Sequence, residues 1–135
     1  MKQETVGLVQ GSWKSVVPIA PQAAALFYQN LFIADPSLKI LFKGDMEAQG
    51  AKLMQMIGAA VAKLNDLDTL VPILQGLGKR HAGYGVRDEH YQTVGGALLQ
   101  TLAQGLGDAF TPEVKAAWTD VYGVMADVMV KAAKA

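Results

Sequence analysis

Apolar residues recur every three or four positions along almost the whole chain. This spacing places them on one face of an α-helix, whereas a half-buried strand needs an alternation of apolar and polar residues that no segment sustains. The sequence therefore predicts an all-α fold. The predicted helices cover residues 4–17, 21–34, 36–42, 47–64, 68–81, 89–106 and 112–132, with boundaries good to about two to four residues.

Several of the predicted helix boundaries carry a chemical signal. Asp35-Pro36 and Thr111-Pro112 each place a capping side chain before a proline, which is favoured at the first helical position. Asp88 is expected to do the same for the helix that follows it. Pro18 and Pro21 separate the first two helices, because proline cannot donate the helical hydrogen bond.

The length of the chain fits one domain. A chain of 135 residues and 14.4 kDa can bury a substantial core without disulfides or a structural metal. We therefore expect a single domain over residues 1–135. The short predicted helix 36–42, followed by a corner at 43–46, is unusual for a simple bundle and suggests helices that cross at larger angles around something central.

Composition excludes several classes of function. The absence of cysteine excludes thiol nucleophiles, iron–sulfur clusters and thiolate zinc sites. Twelve Lys and Arg residues balance twelve Asp and Glu residues, so no net field attracts nucleic acid or anionic lipid. The expected partner is therefore a small molecule, and we expect no nucleic-acid partner.

The sequence also predicts no membrane insertion. No apolar window reaches about eighteen residues without a charge or a turn residue. The N-terminus lacks the apolar run and small-residue cleavage site of a signal peptide. We expect a soluble, cytoplasmic protein.

One of the two histidines, His81, ends an amphipathic predicted helix. A neutral imidazole on an apolar helical face can hold the iron of a flat ligand such as haem. The alternative is a packed or capping histidine, which the helix dipole favours near a C-terminus. The apolar residues that precede it at helical spacing are Leu70, Ile73, Leu74 and Leu77.

Two polar side chains elsewhere share faces with apolar residues. Tyr28 lies on the same face as Leu31 and Phe32, so its hydroxyl is expected to point inward, where it needs a hydrogen-bond partner. Gln49 lies one turn before Leu53 and would place an amide donor beside an aliphatic wall. The alternative for Gln49 is a solvated helix residue.

These residues, with Phe42, resemble the pattern of the single-domain bacterial globins related to the globin part of flavohaemoglobins. Phe42 matches the phenylalanine that wedges the haem, His81 the proximal iron ligand, and Tyr28 and Gln49 the distal pair of this branch. The segment 87–95, with Tyr91, and the final helix at 117–124 also match. The resemblance covers essentially the whole chain.

The resemblance implies a globin fold with helices packed around a haem pocket, and haem b as the cofactor. His81 would coordinate the iron through its outer ring nitrogen, while the other nitrogen donates to an acceptor. Lys52 would pair with a haem propionate, although a solvated lysine is the alternative. The residues implied to contact haem are Phe42, Lys52, Leu53, Leu77, His81, Val86, Tyr91, Val94 and Leu98.

The function implied is reversible binding of oxygen, and of other diatomic gases such as carbon monoxide and nitric oxide, for transport, delivery or storage. Tyr28 and Gln49 would donate to the bound gas. The alternative is a nitric oxide dioxygenase that forms nitrate with electrons from a separate reductase. The branch's glutamate near the end of the final helix is missing, because Val130–Ala133 holds no acid. His90 is expected to be exposed and is given no role.

Overall fold

The computed structural model describes residues 2–134, and within them the fold is all-α, with no strand. Six α-helices account for most of these residues: α1 (Gln3–Val16), α2 (Ala20–Ala34), α3 (Met46–Ala62), α4 (Leu67–Gly83), α5 (Asp88–Leu106) and α6 (Pro112–Lys134). Three short 3-10 helices, Val17–Ile19, Pro36–Leu41 and Gly107–Ala109, lie between them. The predicted fold class is confirmed.

The segment predicted as an α-helix at 36–42 is the 3-10 helix Pro36–Leu41. The Asp35 side chain starts it, accepting from the Ser37 backbone N–H at 3.1 Å and from the Ser37 hydroxyl at 2.6 Å. The segment ends at Phe42, whose backbone is extended. A segment of six residues that begins with a proline and stops before an extended residue can form few helical hydrogen bonds. The tighter 3-10 form is therefore favoured.

The capping predictions have different outcomes at two other helices. Thr111 caps α6 as predicted, since its hydroxyl accepts from the Val114 N–H at 3.2 Å. The prediction for Asp88 is wrong, because this residue is already the first residue of α5. The backbone N–H of the preceding Arg87 donates instead to His90 Nδ1 at 3.0 Å.

The helices pack in crossing pairs: α4 against α6, α2 against α5, α1 against α6, and α2 against α3. Trp118 of α6 lies at the centre of the core and is fully buried. Its ring centroid lies 6.0 Å from that of Trp13, and its indole N–H donates to the Ser12 hydroxyl at 2.8 Å. The hydrogen bond satisfies the one polar atom that this large side chain brings into the core.

The stretch Gln3–Ala34 has the length and the mean hydropathy, 1.3, of a membrane span. It is interrupted by the 3-10 helix Val17–Ile19, and both flanking helices pack against other parts of the fold. Its side chains include Val9 and Leu31, which are fully buried in the core. A core helix of a globular domain meets the same criterion, so length and hydropathy alone do not distinguish a membrane span from a core helix here.

A close approach of backbones joins α4 to α6 at Gly78. A Cβ atom at this position would lie 2.3 Å from the Met129 carbonyl oxygen and 2.7 Å from the Met129 Cα. Neither backbone atom can move away without moving α6. Gly78 therefore sets the distance between the two helices three residues before His81.

Gly78 and Gly76 form a matched pair for measuring this contact. We expect Gly78→Ala to destabilise the fold by about 3 kcal/mol, the upper end for overpacking a core. At Gly76 an added Cβ meets only the Arg80 guanidinium, at 3.8 Å. Gly76→Ala should therefore stabilise by about 0.5–1 kcal/mol, through helix propensity alone. Urea unfolding of both variants checks this, and equal effects would contradict the close approach.

Candidate functional site

A cavity of about 240 Å³ lies inside the helical fold. Side chains from α2, α3, α4, α5 and α6 line it, together with residues around the 3-10 helix Pro36–Leu41. Most of the lining is aliphatic or aromatic. The residues predicted to contact haem or a bound gas that line this cavity are Tyr28, Phe42, Leu53, Leu77, His81, Val86, Tyr91, Val94 and Leu98.

His81 lies in the last turn of α4 and is half-buried. Its Nδ1 lies 2.8 Å from the Leu77 carbonyl oxygen. Because a carbonyl can only accept, the hydrogen of the neutral ring is on Nδ1 and Nε2 keeps its lone pair. Burial lowers the pKa of His81, the bond to Leu77 raises it, and the Arg80 charge lowers it further, with a net decrease. The imidazole is therefore held in the neutral form that coordinates metals.

An aromatic pair supports His81 from α5 and α6. The Tyr91 ring stacks on the His81 ring, with centroids 6.4 Å apart and an interplanar angle of 27°. The Tyr122 hydroxyl donates to the Tyr91 carbonyl at 2.6 Å. Gly95 leaves room for the Tyr122 ring, since a Cβ there would lie 2.7 Å from Tyr122 Cε2. Thus α6 fixes the start of α5 and, with it, the ring beside His81.

The Tyr122 hydroxyl gives a prediction about stability. Tyr122→Phe should cost about 1 kcal/mol at neutral pH, the usual value of one hydrogen bond. Burial, and secondarily Tyr91, raise the pKa of Tyr122 above its ordinary value of 10.0. Above pH 10 the unfolded phenol therefore ionises before the folded one, and this part of the stability is lost as pH rises. Urea unfolding between pH 7 and 11 should show a shallower alkaline decline for Tyr122→Phe than for the wild type.

Tyr28, on α2, forms a different part of the cavity wall and is buried. Its ring packs edge-on against Phe42, with centroids 5.3 Å apart, and stacks at 6.0 Å on Phe32. Burial raises the pKa of Tyr28, so the hydroxyl stays protonated. Within residues 2–134 this hydroxyl has no hydrogen-bond partner. In the described residues no fully buried side-chain nitrogen or oxygen lacks a partner, so this hydroxyl keeps accessible surface, and it can donate to an acceptor inside the cavity that Tyr28 lines.

A family model described as Globin matches residues 25–129. The chain belongs to the globin family. The tertiary fold agrees, because a crystal structure of a hexacoordinated heme protein from an anhydrobiotic tardigrade matches this globin with a TM-score of 0.90. That match covers 100% of this chain and 96% of the other at 17% sequence identity, so it concerns the fold alone.

Curated relatives include flavohemoproteins and a neuroglobin. The flavohemoprotein of Bacillus subtilis is 33% identical to this globin over 124 residues, covering 87% of this chain and 31% of the relative. Neuroglobin of Danio rerio is 30% identical over 145 aligned positions, covering 97% of this chain and 91% of the relative. The globin described here thus spans about a third of the length of the flavohemoproteins that it matches.

Two residues singled out in the sequence, Gln49 and Lys52, are not brought to the cavity of this globin. The Gln49 amide donates to the Lys43 carbonyl in the corner before α3. Lys52 is exposed. It precedes Leu53, which lines the cavity, and adjacent residues point about 100° apart around a helix. The roles suggested for Gln49 and Lys52 stay predictions.

His90 is placed differently from the expectation that it would be exposed. It is half-buried, lines the cavity, and accepts the Arg87 N–H at the start of α5. The sequence signal for this hydrogen bond was the position of His90 as the third residue of α5. A side-chain acceptor there can reach back to the backbone N–H of the residue before the helix. His90 therefore caps the start of α5 and also lines the cavity.

Sequence reasoning also missed most of the contribution of α6 to the cavity. Trp118, Tyr122, Met125 and Met129 all line it. Their spacing of four, three and four residues is the helical period of a single face. That pattern marks a buried face, but it cannot show whether the face packs on another helix or borders a cavity.

Proposed function

We propose that this globin binds haem b in the cavity, where His81 Nε2 would be the protein ligand of the iron. The observation that carries the proposal is the hydrogen bond from His81 Nδ1 to the Leu77 carbonyl. It fixes the tautomer whose Nε2 lone pair is free, on a side chain that lines an otherwise mainly apolar cavity. The globin family model and the flavohemoprotein and neuroglobin relatives support the same assignment.

The lining suits a flat, largely apolar ring. Phe42, beside Tyr28, offers an aromatic edge to it, and Leu53, Val86, Val94 and Leu98 offer aliphatic surface. The volume of about 240 Å³ is small for a cofactor site. Three methionines also line the cavity, and their unbranched, flexible side chains can move to widen it. The residues present therefore fit haem.

The proposed activity is reversible binding of oxygen. Haem iron, when bound, supplies the coordination position for a diatomic gas. Tyr28 then contributes a protonated hydroxyl with no other partner, which can donate to a gas that carries negative charge on its outer atom. The apolar lining excludes water, which strengthens that hydrogen bond. Transport, delivery or storage of oxygen in the cytoplasm follows as the proposed role.

Nitric oxide dioxygenase activity is the second candidate, and the flavohemoprotein relatives favour it. It would require electrons from a separate reductase. One feature of the site favours oxygen binding over this reaction. Within the described part of the chain, neither the His81 nor the Tyr91 side chain bonds to a carboxylate, and Val130–Ala133 contains no acid that could make the axial ligand more basic.

Titration of the purified protein with haemin tests the proposal. A stoichiometric complex with a strong Soret band, followed by a reversible spectral change when the reduced protein is exposed to oxygen and then to argon, is expected. Nitric oxide consumption is then measured with a reductase present. Sustained turnover to nitrate would favour the second candidate, and absence of a stoichiometric haem complex would overturn both.

A further inference from the structure

Six side chains that line the cavity carry a polar group: Tyr28, His81, His90, Tyr91, Trp118 and Tyr122. The Trp118 N–H and the Tyr122 hydroxyl donate within the protein, to Ser12 at 2.8 Å and to Tyr91 at 2.6 Å. The tyrosine of α2 and the histidine of α4 have the roles proposed above. His90 also lines the cavity, and one of its ring nitrogens has no role so far.

The position of the hydrogen on His90 follows from its contact at the start of α5. The Arg87 backbone N–H lies 3.0 Å from His90 Nδ1. A backbone N–H can only donate, so Nδ1 must be the unprotonated nitrogen. The neutral ring therefore carries its hydrogen on Nε2, at the far end of the side chain. His90 thus presents a donor whose orientation is fixed by the helix cap.

The His90 side chain lies at the border between the apolar cavity and water. His90 is half-buried, whereas Arg87, Asp88 and Glu89 are all exposed. Those three charges pair at the surface, Arg87 with Glu89 at 3.7 Å and Asp88 with Lys134 at 2.7 Å. A donor at such a border suits a ligand whose body is apolar and whose edge carries an acceptor, because the edge can stay partly hydrated.

We propose that His90 Nε2 donates a hydrogen bond to a propionate carboxylate of haem. The inference rests on the proposed function, since the carboxylate belongs to the porphyrin. It makes His90 a second histidine of the same site with a different task from His81. His81 holds the iron, and His90 holds the edge of the ring and fixes its rotation in the cavity.

Substitutions that keep the helix cap can isolate the donor. Glu and Gln at the third residue of a helix accept the N–H of the residue before the helix, so His90→Glu and His90→Gln both preserve the cap. His90→Glu replaces the donor with a negative charge that faces the carboxylate. Gln92→Glu is the matched control, because Gln92 is exposed on the same helix, is not a cavity residue, and also gains a carboxylate.

The measurement is the rate at which the ferric protein releases haem to excess apomyoglobin. His90→Glu should release haem about tenfold faster than the wild type, which corresponds to about 1.4 kcal/mol. We expect about a threefold increase for His90→Gln, which keeps an amide donor in a different position, and less than about twofold for Gln92→Glu. Urea unfolding of the apoproteins should show equal stability.

Haem dimethyl ester separates this inference from a purely structural role. The ester has no charged carboxylates, and its carbonyl oxygens are weaker acceptors, so the difference between the wild type and His90→Glu should become much smaller with it. An equal acceleration for haem and its ester would overturn the inference and assign His90 to the helix start alone. Equal haem release from all variants would also overturn it while leaving the proposed function intact. Failure of the wild type to bind haem would remove both.

Discussion

Replacement of His81 with alanine is expected to abolish stable haem binding. His81 Nε2 is the proposed iron ligand, and the side chain is half-buried. No other histidine lies in α4 to replace it. Loss of a partner beside a metal ligand already costs 10- to 100-fold in metal affinity, so loss of the ligand itself should raise haem release by at least about 100-fold. The measurement is haem content after purification, together with haem transfer to apomyoglobin.

Two controls make this result specific. Lys79→Ala changes an exposed residue of the same helix and should leave haem content unchanged. His81→Gly should regain a Soret band when free imidazole is added, because the small ligand can enter the space left by the side chain. A His81→Ala protein with full haem content and an unaltered spectrum would show that another group holds the iron.

The fold could be predicted from the sequence because its signals are local. Periodicity identified every α-helix, and Asp35 and Thr111 marked two starts through side chains that bond a few residues away. The 3-10 helix Pro36–Leu41 was harder to predict, since over six residues an α-helix and a 3-10 helix show almost the same apolar spacing. The capping of α5 depended on a histidine, which is an unusual residue for that task.

The site was predictable where a residue's own helix positions it. His81, Leu77 and Leu98 lie on apolar faces that any three-four pattern reveals, and all three line the cavity. Periodicity could not choose between a packed and a ligating histidine, because both lie on the apolar face of a helix. The contact of His81 with the Leu77 carbonyl gives the tautomer, and this contact is seen only in the three-dimensional structure.

The rest of the site depended on contacts that helical periodicity does not describe, some of them between distant parts of the chain. Gln49 lies on the same side of α3 as Leu53, but its amide donates a hydrogen bond to the Lys43 carbonyl in the preceding corner. The approach of Gly78 to Met129 involves positions about fifty residues apart in the sequence. A single sequence gives no information about such pairs, because nothing in either segment alone requires the other.

Substitution of Tyr28 tests the proposed gas-binding side of the cavity. Tyr28→Phe keeps the ring and its packing on Phe42 and removes only the hydroxyl. A hydrogen bond to a charged acceptor contributes roughly 1.5–3 kcal/mol. Because about 1.4 kcal/mol corresponds to one decade, oxygen dissociation should accelerate by about 10- to 100-fold. Stopped-flow displacement of oxygen from the ferrous protein measures this rate.

Carbon monoxide and Gln49 supply the comparisons that identify the cause. Carbon monoxide carries less negative charge on its outer atom, so its dissociation from Tyr28→Phe should change by less than about threefold. Gln49→Leu should also change oxygen dissociation by less than about threefold, because the Gln49 amide is bonded to Lys43 and does not line the cavity. A large effect of Gln49→Leu would mean that the amide leaves Lys43 when gas binds. Equal acceleration of both gases in Tyr28→Phe would instead show that Tyr28 controls access to the cavity, and the polar interaction with oxygen would be refuted.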